Sequence, residues 1–252
     1  MSNQTYGPSF YATRPGTSNS ANLVANYLLN FIKPESVVDI GCGTGAWLNA
    51  FKSDTCKRIL GLDGNWVPVD RLAIPRECFV PQDLNNPSYQ FDAPFDLAIS
   101  LEVAEHIETK NSQAFVGFVV GASSIVLWSA AIPFQGGTGH INEQFPDFWF
   151  QLFREKGYVC FDVIRPQFWQ HPQVAWFYAQ NMLLYVDQSL AADFEQRFMT
   201  KPNVDHAPLA LVHPHRYLDL AQHVRYPELF RPRHLLQATW RSLRHSLGKK
   251  TS

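Results

Sequence analysis

The sequence predicts an α/β fold, a doubly wound and mostly parallel sheet with helices on both faces. Residues 36–48 read S-V-V-D-I-G-C-G-T-G-A-W-L, a β-branched run that breaks into Gly41, Gly43 and Gly45 and restarts as an apolar helix. Strand-like and helix-like runs alternate through most of the chain, as parallel βαβ units require. Acids stand where strand runs end, at Asp39, Asp63 and Glu102, and ligands in open α/β sheets bind outside the carboxyl ends of the strands.

Residues 1–20 are polar and rich in Gly, Pro, Ser and Asn, and read as a flexible arm. Tyr6, Phe10, Tyr11 and Arg14 in it either pack on the body or form a lid, with Tyr11 a candidate contact to substrate. Leu23, Val24, Tyr27, Leu28 and Phe31 recur at helical spacing over residues 21–32, and Pro34 ends that helix. The first strand, the glycine turn and a helix through Phe51 follow. A second strand over 58–62 ends at Asp63. A short third strand covers 78–80, with Asp83 and Leu84 in the loop beyond. A fourth over 95–101 is left by Glu102. Residues 111–120 form a helix before the fifth strand, 124–129, and a helix over 145–156 stops at Gly157. Residues 158–164 and 176–186 are two more strand-like runs. The body is expected to span 21–190, with 191–252 a helical extension ending in a basic tail.

The 252 residues are 46% apolar, enough for one large or two small domains with a sizeable core. The net charge of −1 gives no global electrostatic case for nucleic acid. From Arg225 onward there are seven Lys/Arg and one acid, against fourteen bases and twenty-one acids before it. Residues 229–247 mix apolar positions with arginines at near-helical spacing. They read either as a basic face packed on the acidic body or as a peripheral contact with an anionic membrane. Cys42, Cys56, Cys78 and Cys160 are scattered without a C-x-x-C pair, and the start lacks the pattern of a signal peptide. The expected setting is therefore cytoplasmic. Residues 114–134 carry no charge and are long enough on paper to cross a bilayer. Gly117, Gly121, Ser123 and Ser124 interrupt them, so they read as a helix end, a turn and a core strand.

The turn fits two templates. Gly41-Cys42-Gly43-Thr44-Gly45-Ala46 satisfies the dinucleotide fingerprint, and with Asp39 it also satisfies D-x-G-x-G-x-G. Asp63, 24 residues after Asp39, stands where βαβ nucleotide sites put an acid on the ribose. V-V-D-I-G-C-G-T-G resembles motif I of the class I S-adenosylmethionine-dependent methyltransferases, and F-D-L-A-I-S-L-E-V-A-E-H-I resembles the fourth-strand motif of their small-molecule O-methylating members. The similarity runs from about residue 37 to 186, in order and spacing, and extends through G-H-I-N-E-Q-F-P-D-F-W to uncharacterised bacterial methyltransferases. It implies a seven-stranded sheet with an antiparallel last strand and S-adenosylmethionine as cofactor. By resemblance, Gly41, Cys42, Gly43 and Gly45 wall the cofactor and Asp63 with Gly64 meets the ribose. Asp83 and Leu84 frame the adenine, while Asp39, Leu101 and Glu102 lie beside the cationic part.

Methyl transfer from a sulfonium is an in-line displacement, and a hydroxyl acceptor must also lose its proton, which suits a histidine. His140, in a long glycine-rich loop after the fifth strand, is the preferred base, with Glu143 orienting it or the substrate. A turn histidine bonded to backbone is the other reading. His106 is a further catalytic candidate, or it organises the start of a helix beside Glu102 and Glu105. Trp169, His171 and Trp176 either line an acceptor pocket or pack. There is no [D/N]-P-P-[Y/F/W] after the fourth strand, no Pro-Cys nucleophile, and no His/Asp/Glu group at metal-ligand spacing, so no metal is expected. These observations point to O-methylation of a small molecule or a sugar or polysaccharide precursor. The alternatives are an NAD-dependent oxidoreductase or epimerase, which would need a Tyr-x-x-x-Lys pair, and a non-catalytic cofactor-binding subunit.

Overall fold

Val37, Val38 and Ile40 lie fully buried in β1 (Ser36–Ile40), which pairs in parallel with β2 (Arg58–Asp63) on one side and β4 (Leu97–Leu101) on the other. A strand covered on both faces has no polar side to show, which explains the unbroken β-branched run. The computed structural model describes residues 15–225. The sheet grows in parallel to β3 (Phe79–Pro81) beyond β2 and to β5 (Ile125–Ser129) beyond β4. After β6 (Tyr158–Phe161), the chain returns as β7 (Leu183–Asp187), which inserts antiparallel between β5 and β6. The order is β3-β2-β1-β4-β5-β7-β6, the doubly wound sheet with an antiparallel last strand that the sequence predicts. The inserted seventh strand separates this order from the 3-2-1-4-5-6 of dinucleotide-binding sheets.

Successive strand residues face opposite layers. Val37 belongs to one core layer with α1 (Pro15–Leu28), α2 (Ala46–Phe51) and α7 (Ala191–Phe198), which contribute Val24, Leu28, Leu48, Phe51 and Phe194 to it. Val38 belongs to the other layer with α3 (Ser112–Ala122) and α4 (Pro146–Glu155), which contribute Phe115, Val119, Phe150 and Phe153. The short helices α5 (Arg165–Phe168) and α6 (Trp176–Asn181) fill the crossover from β6 to β7.

Several expectations change. The helix expected from residue 21 begins at Pro15, because Ser20 is fully buried and ties it to the body: its hydroxyl donates to the Gly16 carbonyl (2.7 Å) and accepts from the Ala175 N–H (3.0 Å). The rest of the expected arm, with Tyr6, Phe10, Tyr11 and Arg14, lies outside the described residues, as does the basic run over 229–247. Residues 176–186 are helix α6 and then strand β7, not one strand. Their aromatic and β-branched composition favours a strand, but Tyr178 is drawn onto Trp47 of α2, with rings 5.2 Å apart edge to face. Helix α7 joins the body, since Phe194 and Phe198 are buried against Phe161, and the second unit begins only at Val212. Within that unit α8 (Pro214–Arg225) carries an Arg216–Asp219 ion pair. The uncharged stretch over 114–134 divides into the end of α3, a turn, β5 and a loop. No helix among the described residues is long and apolar enough to cross a membrane.

The first turn glycine has no substitute. Gly41 holds φ +95°, and a Cβ there would sit 2.2 Å from Cγ2 of Val103. Gly41→Ala is expected to destabilise the chain by about 2–3 kcal/mol, read as a lowered denaturation midpoint at unchanged slope.

Candidate active site

Three strand ends meet at the glycine turn. The Leu62 carbonyl at the end of β2 accepts the Gly41 N–H (2.7 Å), and the Ser100 hydroxyl on β4 donates to the Ile40 carbonyl (2.9 Å). Asp63 then closes the turn from the side: one carboxylate oxygen accepts the Gly43 N–H (2.7 Å) and the other its neighbour Gly64 N–H (2.6 Å). Each oxygen keeps a lone pair for a further donor. Burial lifts the Asp63 pKa to about 6, with the two N–H groups opposing the rise. Asp39, 2% exposed, has one carboxylate oxygen without any hydrogen-bond partner. Its pKa is pushed well above the usual carboxylate range by burial and then by the Asp63 charge. A buried carboxyl with an unpartnered oxygen beside a glycine turn fits a ligand that brings a cation. Cys42 is buried, with its thiol directed to the Gly43 carbonyl (3.4 Å), and its pKa is raised by the same burial and acids.

At the end of β4, beyond the buried Leu101, Glu102 adopts φ +56°, a backbone state uncommon for a side-chain-bearing residue. The strain is held in place by two hydrogen bonds from its N–H, to the Ser129 carbonyl (3.0 Å) and hydroxyl (3.1 Å). Its carboxylate accepts from the Gln135 amide (2.8 Å) and the Asn181 amide (3.0 Å), and Asn181 and Gln180 both donate to the Gln135 oxygen. Gln135, Gln180 and Asn181 are buried and form a network that sequence reasoning missed. Their only signal is polarity in runs otherwise suited to a core. The network ties α6 to the site, so Trp176 at the start of that helix stands about 8 Å along its axis from Asn181.

The loop between β5 and α4 folds back on residues 102–107. The Glu105 carbonyl accepts the N–H groups of Ile141 (2.9 Å) and Asn142 (3.0 Å), and the Asn142 amide reaches the Ser112 hydroxyl (3.0 Å). Glu143 staples the loop, accepting from the N–H groups of Phe134 (2.8 Å) and Gly136 (2.7 Å) and from Nδ1 of His140 (2.9 Å). The carboxylate can only accept, so Nδ1 of His140 carries a proton, and in the neutral ring the lone pair is on Nε2, 3.8 Å from the Glu105 carboxylate. Gly137 covers the imidazole edge, where a Cβ would sit 2.1 Å from Nε2. The His106 ring stands edge-on to that of His140 at 4.9 Å, with its Nδ1 3.1 Å from the Gly139 carbonyl. Glu105 is fully buried, and neither carboxylate oxygen has a hydrogen-bond partner. Burial and then the charges of Glu102 and Glu143 raise its pKa, opposed by the nearby N–H groups of Glu105 and Ala131. Glu105, His106 and His140 thus offer ligand atoms all within 4.8 Å of one another, a grouping that sequence spacing hides because more than thirty residues, including α3 and β5, separate His106 from His140.

The remaining candidates are more dispersed. Leu84 is buried and the exposed Asp83 accepts the Asn85 N–H (3.0 Å), while the Gln82 N–H beside them bonds the Asp63 carbonyl (2.7 Å). His171 accepts the Gln173 N–H (3.3 Å) in a turn and packs edge-on to Phe168, and Trp169 and Trp176 are half-buried.

Residues 18–118 match the family model described as a methyltransferase domain. Among solved structures, magnesium protoporphyrin IX methyltransferase from Synechocystis PCC 6803, with SAH bound, is 18% identical over 73% of this chain and 91% of its own, at a TM-score of 0.52. An amino pentose methyltransferase of calicheamicin biosynthesis from Micromonospora echinaspora, with SAM bound, is 14% identical over 72% of this chain and 97% of its own, at 0.54. A putative O-methyltransferase from Nostoc punctiforme PCC 73102 is 16% identical over 70% and 58%, at 0.52. At these identities the likeness is one of fold. No curated protein sequence matches the chain.

Proposed function

We propose that the chain is a class I S-adenosylmethionine-dependent methyltransferase that methylates oxygen on a small molecule, with sugars and polysaccharide precursors the favoured acceptors; the match of residues 18–118 to a methyltransferase domain supports the first part of this reading. The observation that carries oxygen as the target is the Glu105–His106–His140–Glu143 group beside the end of β4. A hydroxyl needs its proton removed before or during attack, and a thioether or neutral amine does not.

The cofactor supplies an electrophilic methyl on a sulfonium, and the chain's own residues fit it. Asp39 answers the cationic portion, and Asp63 offers its two remaining lone pairs to the ribose hydroxyls. Gly41, Gly43 and Gly45, all at positive φ, leave the turn open, and Asp83 and Leu84 flank the adenine. Glu102, locked by Gln135 and Asn181, fixes the floor of the site. His140, with its tautomer set by Glu143, activates the acceptor hydroxyl, and His106 supports it. The acceptor lies against the loop between β5 and α4, which exposes Phe134, Ile141 and Phe145 to solvent, and against Trp169, His171 and Trp176. That a structure of like fold is an amino pentose methyltransferase is in keeping with a sugar acceptor. Tyr11 is placed on the acceptor side as a proposal from sequence.

Calorimetric titration with S-adenosylmethionine and separately with NAD, followed by methyl transfer from labelled cofactor to sugar hydroxyls, tests this reading. Binding of S-adenosylmethionine with label appearing on oxygen supports it, and label on nitrogen only would reject it. Asp63 adds a pH signature. Its folded pKa of about 6 exceeds the ordinary carboxylate value, so its contribution to stability is present at low pH and lost as pH rises through about 6. Ribose hydroxyls donate to the ionised form, so cofactor affinity changes in the opposite sense. It is expected to be about tenfold weaker at pH 5 than at pH 7.5, read by the same titration.

A further inference from the structure

We propose that Glu105, His106 and His140 form a binding site for one divalent first-row transition ion. The inference rests on the reading of this site as the place where the acceptor hydroxyl is activated, and it supplies the means.

Glu105 presents the strongest reason. Its side chain is 0% exposed and neither oxygen has a hydrogen-bond partner. The charges that act on it, Glu102 and Glu143, are anions. A buried carboxylate in such surroundings calls for a cation.

The histidines give an independent reason. Nδ1 of His140 donates to Glu143 (2.9 Å), and Nδ1 of His106 stands 3.1 Å from the Gly139 carbonyl, which can only accept. Imidazoles that ligate metals are characteristically held this way, with the proton on the outer nitrogen bonded to a carboxylate or carbonyl and the lone pair on the other. Nε2 of His140 and Oε1 of Glu105 are 3.8 Å apart, too far for a hydrogen bond. Two atoms that each lie about 2.1 Å from one ion are about 3–4.2 Å apart. The whole set falls within 4.8 Å, so occupancy draws the side chains together by about half an ångström, within ordinary side-chain freedom.

Two imidazoles and one carboxylate favour manganese, iron, cobalt or zinc over magnesium or calcium. Three protein ligands leave coordination positions open, the pattern of a catalytic site. An acceptor hydroxyl in an open position becomes more acidic and passes its proton to solvent water. Its oxygen then bonds to the methyl carbon as the carbon–sulfur bond breaks, with that bond's electron pair going to sulfur. His140 acts here as a ligand that Glu143 orients.

The test uses the full chain after chelator treatment, titrated with Co²⁺ alone and followed by visible absorption, with Glu105→Gln and His106→Asn as variants. One Co²⁺ per chain, weakened at least tenfold in either variant that remains folded, is the expected result. No stoichiometric uptake, or uptake that both variants leave unchanged, overturns the proposal. Methyl transfer to oxygen that persists undiminished in chelator, without uptake, removes the ion but leaves the O-methyltransferase reading standing. Uptake at this site with label transferred only to nitrogen keeps the ion and removes that reading.

Discussion

Replacing His140 with alanine is expected to lower methyl transfer by about 10²–10⁴-fold while leaving S-adenosylmethionine affinity within about twofold. The contrast follows from placement. His140 touches Glu143, Glu105 and His106, whereas Asp39, Asp63 and the glycine turn, the groups proposed to hold the cofactor, sit at the ends of β1 and β2. Single-turnover transfer from labelled cofactor, set beside calorimetric affinity, separates the two quantities. An unchanged rate would remove His140 from the chemistry. A fall in affinity equal to the fall in rate would show that the loop between β5 and α4 had collapsed. Glu143 makes that failure recognisable, because it also holds the N–H groups of Phe134 and Gly136 and keeps the loop closed without His140.

Asp63→Ala is expected to weaken S-adenosylmethionine binding at least tenfold, about 1.4 kcal/mol or more, with turnover at saturating cofactor much less affected. Two losses combine. The ribose hydroxyls lose a charged acceptor, and the N–H groups of Gly43 and Gly64 lose the carboxylate that holds the turn. Asp63→Asn distinguishes them. Its amide oxygen can serve one N–H but not both, so it keeps part of the turn while losing the charge. Equal affinity in wild type and Asp63→Ala, measured by titration at pH 7.5, would dismiss the ribose assignment.

The elements that the sequence made legible are those whose cause is local. A β-branched run covered on both faces, as in β1, can be read from its own residues, and so can a turn that demands positive φ at Gly41, Gly43 and Gly45. Asp63 was legible because a βαβ unit places the second strand beside the first at a nearly constant distance along the chain. Residues 176–186 misled for the same reason in reverse. Their composition favours a strand, and only packing of Tyr178 on Trp47 and the bonding of Asn181 to Glu102 make the first half a helix.

The group proposed to activate the acceptor was legible in part. His140 with Glu143 is a contact three residues apart, and sequence alone suggests it. Glu105 gave no such sign, because its significance lies in being buried without a partner, which no neighbouring residue dictates. Glu102 likewise depends on Gln135 and Asn181, brought in from a loop after β5 and a helix before β7. The sequence by itself therefore determined the sheet, its glycine turn and the acids at its strand ends, since hydrophobic pattern and backbone sterics act over a few residues. Only the tertiary structure decided which polar side chains share one buried space, because that depends on crossovers between β4, β5 and β7 that join residues dozens of positions apart.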